Sequence, residues 1–174
     1  MLRMSFIAPV IGSPYSFPLM PGGALFVLIV GLFVVAGGLL GRQIAFLIAG
    51  FVAAGVAMGL FAPRLSAPFG QPATYQVAAL IFAVILEAFM ISVVRRRLRG
   101  GDQRTLIIAI LTVVALHFFI MIPAFGWGML WLSVACIVNV GAAKSIPAYP
   151  TNALWTVDGA LKVLFGAIIL RMPL

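Results

Sequence analysis

Three acidic residues, one histidine and one cysteine are all that 174 positions hold of the side chains that carry most protein chemistry. Each scarcity excludes something. Cys136 cannot form a disulfide within the chain, and inside its apolar run it reads as a small packing residue. With His117 alone and no cysteine pair, a dedicated metal or haem site lacks ligands, so no cofactor is expected. The glycines lie within apolar runs, and none forms a phosphate-cradling loop ahead of a helix in a polar context. Ser92, Ser133 and Ser145 share no motif with His117, so the chain is not read as an enzyme. Catalysis on lipid, with arginines holding a phosphate headgroup near Glu87, ranks third among the functional readings.

What the chain does contain is apolar surface. Hydrophobic residues make up 64% of it and charged residues only 8%, against about 25% charged in an ordinary soluble domain. With a mean hydropathy of +1.25, this composition specifies an integral membrane protein. The length suits one compact helical domain. The net charge of +8 and pI near 11.2 do not indicate a nucleic-acid partner, because five of the eleven Lys and Arg fall within residues 95–104, beside an apolar run. There they set topology and meet anionic lipid headgroups.

Runs of about 20 apolar residues are long enough to span a bilayer. Six such spans are predicted, at residues 23–40, 44–62, 75–94, 105–122, 126–143 and 153–170. The expected fold is therefore all-α, a compact six-helix membrane bundle with short loops. Residues 1–22 are interrupted by Pro9, Pro14, Pro18 and Pro21, which forbids a continuous helix and an uninterrupted signal-peptide core. That stretch, with Phe6, Tyr15 and Phe17, is read as an interfacial arm. The Gly41-Arg42-Gln43 turn makes spans 1 and 2 a tight hairpin. In span 2, Gly55 and Gly59, together with Gly50 and Ala54, have the small-residue spacing that lets helices approach closely, read mainly as internal packing. Pro63 and Pro123 are read as ending spans 2 and 4.

Arg95, Arg96, Arg97, Arg99 and Arg104 fix the orientation: a loop this basic stays in the cytoplasm. Alternation of six spans then places Arg42, those five arginines and Lys144 inside, with Arg3, Arg64 and Arg171 outside. Both termini fall outside, in an inner (cytoplasmic) membrane.

The candidate site follows from the polar residues stranded within the spans. A rise of about 1.5 Å per residue puts Glu87 roughly 12 Å below the basic boundary, Asp158 roughly 9 Å, Lys162 roughly 15 Å and Asn139 about 7 to 8 Å. His117, at roughly 20 Å, is expected beyond the midplane. Asp158 and Lys162, four apart on one helix, can pair. Glu87 is then the odd charge, and in hydrocarbon it is neutral unless a cation, Lys162 or water reaches it. Its face of span 3, shared with Phe82 or Ala83 and with Met90 or Ile91, must point inward.

Glu87, Asp158, Lys162, His117 and Asn139 are accordingly the candidates for moving a proton or small cation. The reading that follows is a small solute or ion transporter or channel, proton-coupled through Glu87. The bland counterpart makes Asp158 and Lys162 a register lock, Glu87 a neutral acid bonded to Ser92 or a backbone carbonyl, and His117 an inter-helix hydrogen bonder. Its functional form is a noncatalytic accessory or scaffold subunit, packing against a membrane-complex partner or a second copy of the chain.

Overall fold

The computed structural model describes residues 16–171, whose regular secondary structure is all helical, without strands. The arm predicted over residues 1–22 lies outside them up to Tyr15. Seven α-helices follow in order: α1 (Met20–Leu39), α2 (Gln43–Ser66), α3 (Thr74–Arg97), α4 (Gln103–Ile120), the single-turn α5 (Ile122–Phe125), α6 (Gly128–Ser145) and α7 (Thr151–Leu170). All but α5 are long and apolar enough to cross a membrane.

The helix ends differ from the sequence reading at several prolines and at the arginines expected to form a loop. Pro21 sits in the first turn of α1, where a missing N–H costs nothing. Pro63 does not end α2, which continues to Ser66 and then a 3-10 turn at Ala67–Phe69. Arg95, Arg96 and Arg97 are not in a loop. They form the last turn of α3, where cations meet the negative end of the helix dipole. Pro123 opens α5 rather than closing a span.

A turn, a cap and two sets of side-chain bonds order the helix ends on the basic side. Gly41, at φ +67°, reverses the chain between α1 and α2. Gln43 Nε2 donates to Asn152 Oδ1 at 2.6 Å, tying the start of α2 to the start of α7. The half-buried Arg104 donates to the carbonyls of Ala143 and Tyr149, both at 2.6 Å, and of Ile146 at 3.0 Å, so it caps the end of α6. Asp102 accepts from Thr105 N at 3.0 Å and opens α4. That backbone N–H holds the Asp102 carboxyl below its ordinary value of 3.8.

Packing joins the long helices in the order α2, α1, α7, α6, α4, α3. The series does not close, because α2 and α3, though consecutive in sequence, do not pack along each other. α1 and α7 meet at backbone distance: a Cβ added to Gly159 would lie 2.6 Å from Val35 N and 2.8 Å from Gly31 O, and one on Gly166 2.8 Å from Ala24 O. Small residues spaced by seven, Ala24, Gly31 and Gly38 on α1 and Gly159 and Gly166 on α7, create that seam. In α2 the buried small residues are Gly50 and Ala54, whereas Gly55 and Gly59 face open space. The row therefore splits between an inner and an outer face.

Candidate functional site

Inside the open ring lies a cavity of about 340 Å³, within the range of small-ligand sites. Phe26, Phe51, Phe118 and Phe125 with Met58, Met121 and Met129 supply much of its apolar wall. Among the described residues its polar groups are four: Glu87 from α3, His117 from α4, and Asp158 and Lys162 from α7. All four are buried.

Glu87 is placed by the inward stripe of α3, which runs Gln76, Leu80, Ala83, Glu87, Ile91, Val94 at helical spacing. Of the alternatives left open by the sequence, Ala83 and Ile91 share this face, while Phe82 and Met90 are exposed. Gln76 anchors the stripe by accepting from Ala73 N at 2.9 Å and donating to Ser16 O at 2.9 Å. Ser92 is not the partner of Glu87, since its hydroxyl donates to Ala88 O on the exposed side.

The partner is His117. Its Nε2 faces Glu87 Oε2 at 3.5 Å, although counting residues from the arginines separated the two by roughly 8 Å. Side-chain direction closes the difference. In any helix the Cα–Cβ bond tilts toward the N-terminus, and α3 and α4 are antiparallel neighbours. Glu87 therefore leans away from the basic end and His117 toward it, so the two tips meet.

The hydrogen bonding of His117 constrains where protons sit. Nδ1 lies 2.7 Å from Val114 O. A carbonyl only accepts, so Nδ1 carries a proton and donates it. Nε2 is then a lone pair in the neutral ring and a donor in the imidazolium. Facing a carboxyl, the arrangement is comfortable with one further proton, held by Glu87 or by Nε2. Removing that proton leaves a carboxylate against a lone pair.

The Lys162 ammonium donates to Asp158 Oδ2, as the four-residue spacing predicted. Lys162 also lies 5.7 Å from the Phe118 ring centroid, a cation–π distance, and within electrostatic reach of Glu87 and His117. The second carboxylate oxygens, Glu87 Oε1 and Asp158 Oδ1, are buried with no oxygen or nitrogen donor on them among the described residues.

Two residues shift in meaning. Asn139 does not line the cavity: its amide donates to Leu154 O at 3.0 Å and accepts from the Tyr149 hydroxyl at 3.0 Å, joining α6 to the turn and helix that follow. Cys136, read as packing, is fully buried and lies within the electrostatic field of Asp158 and Lys162. A lone cysteine in an apolar run gives no sequence signal for that placement. Arg104, spent on three carbonyls, leaves Arg95, Arg96, Arg97 and Arg99 as the exposed guanidinium groups at the end of α3.

Fold and site together define a class, an all-helical protein whose membrane-length helices enclose an apolar cavity with buried ionisable groups among its lining residues. More narrowly, the chain belongs to the family of unknown function DUF6609, whose family model matches residues 14–173. No curated protein and no solved structure matches it.

Proposed function

We propose that this is a multi-pass protein of the cytoplasmic membrane that binds a small, mostly apolar solute in its central cavity and carries it in exchange for a proton. The observation that carries the reading is the Glu87–His117 pair, which is built for one mobile proton and forms part of the cavity wall. Hydrated ions fit poorly, because a wall so rich in Phe and Met offers few groups to replace their water. The lysine on α7 supplies a fixed positive charge in balance with Asp158. Proton movement is then free to act on Glu87 alone.

Orientation follows the arginines. With residues 95–104 on the cytoplasmic face, both chain ends lie on the opposite side. The exposed arginines at the end of α3 meet anionic headgroups there.

The test is infrared difference spectroscopy of the protein in lipid across pH, comparing wild type with Glu87→Gln. A carboxyl band present only in wild type and titrating between about pH 6 and 9 supports proton exchange. A folded protein with no titrating band points to a structural acid.

A second reading has its own support. α2 and α3 bury only 11% of their apolar windows, and Gly55 and Gly59 open outward on α2. Such a face suits an accessory subunit that packs on a larger complex or a second copy.

A further inference from the structure

The cavity reaches the outer surface part-way along the helices, between α2 and α3. Phe51 of α2 and Val84 of α3 line the cavity and are also exposed, 37% and 50% respectively. They flank the one interval in the helix series where neighbours do not pack. Phe51 stands eight residues into α2 and Val84 ten into α3, so both lie roughly 12 to 15 Å from their helix ends, at hydrocarbon depth. At the far end of the cavity α5 packs against α1, α3, α4 and α6, and Phe125 lies against Gly23. An occupant therefore enters from the bilayer, between α2 and α3.

Charge decides what kind of occupant. Asp158 and Lys162 cancel. The remaining pair, Glu87 with a neutral His117, is uncharged with its shared proton and carries −1 without it. His117 is the ionisable group that α4 presents to Glu87, α5 presents none, and the facing groups beyond them are Asp158 and Lys162 on α7 and Cys136 on α6. In a cavity of this polarity a charge of −1 needs either the proton back or a cation in its place. Four phenylalanine rings around the site add the faces that hold an organic cation.

Resting on the reading of the cavity as a solute site, we infer that its substrate class is the lipophilic monocation, an aryl or alkyl ammonium drawn sideways from the bilayer and exchanged for the proton of the Glu87–His117 pair. The exchange balances. One positive charge enters as one proton leaves, and the cavity's net charge is unchanged.

The experiment is calorimetric titration of wild type in phosphatidylcholine nanodiscs with benzyltrimethylammonium, in two buffers of different ionisation enthalpy. Neopentylbenzene, which has carbon in place of the nitrogen, serves as the neutral isostere and is followed by competition. Benzylsulfonate is the size-matched anion. The expected result is cation binding that releases about one proton and tightens by up to about tenfold per pH unit where the pair still holds that proton. Glu87→Gln should weaken it by about tenfold or more, and Glu87→Asp, which keeps the charge, should retain the proton release. The proton count on wild type needs no variant to fold. Equal binding of the neutral isostere without proton release would overturn the cation assignment and leave the apolar-solute cavity standing. Preference for the sulfonate would overturn it in favour of Lys162 as the reader of charge. Binding of none of the three overturns both.

Discussion

Two intervals between helices show how the same kind of sequence can seal or open a membrane protein. Between α1 and α7 the backbones approach through Gly31, Gly159 and Gly166, where an added Cβ would lie within 2.9 Å of the facing helix's backbone. Between α2 and α3, equally apolar, the helices part and a cavity lies behind them. Hydrophobicity does not distinguish them, since lipid tails solvate an apolar helix as well as another helix does. Small residues in register do. The sealed seam has them on both partners, whereas α3 presents the larger Leu80 and Val84 toward the opening.

The largest expected effect comes from breaking the Asp158–Lys162 ion pair that lines the cavity. Lys162→Met alone strands the Asp158 carboxylate and should cost about 3 to 5 kcal/mol. The double variant Asp158→Leu with Lys162→Met should recover most of that loss, measured by reversible unfolding in bicelles as a double-mutant cycle. Next is the seam itself. Gly159→Ala places a methyl 2.6 Å from Val35 N and should cost about 1 to 3 kcal/mol. The matching change on the open side, Gly55→Ala, meets nothing within 4 Å and should be neutral or stabilising by up to about 1 kcal/mol. If both glycines respond alike, the contrast between the two intervals is wrong.

Arg104→Ala removes the donor to three carbonyls at the end of α6 and should cost about 1.5 to 3 kcal/mol. Arg99→Ala, at an exposed position, should change stability by no more than about 0.5 kcal/mol. The smallest effect concerns pH. The Asp102 carboxyl is held low by the α4 backbone, so its support of that helix is present above 3.8 and is lost as pH falls through the lower folded value. Fraying of the first turn of α4 in acid, followed by amide exchange at Thr105, should be abolished in Asp102→Asn.

Much of this was legible in the sequence, and the illegible parts have physical causes. Six apolar runs and the four-residue spacing of Asp158 and Lys162 are local patterns, and the helices and the pair follow from them. The inward face of α3 was legible to within one residue. The meeting of Glu87 with His117 was not, because depth counted along the backbone ignores that side chains on antiparallel helices lean toward each other. Arg104 was read as one more topology charge, and only the fold reveals the three carbonyls that come within its reach. The open interval between α2 and α3 was hidden too. Nothing local to two consecutive apolar helices says whether they pack. The sevenfold spacing of small residues on α1 and α7 was present in the sequence and identifies the helices that do.

The most direct test of a cavity open to the bilayer is photolabelling with a small aryl diazirine dissolved in the lipid, mapped by mass spectrometry. Labels are expected on the inner wall, at Val114, Phe118 and Met129, as well as on outward residues such as Leu60 and Ile85, with the inner labels lost when a solute occupies the site. Labels confined to the outward residues would mean that α2 and α3 close in lipid, and the lateral route would fall.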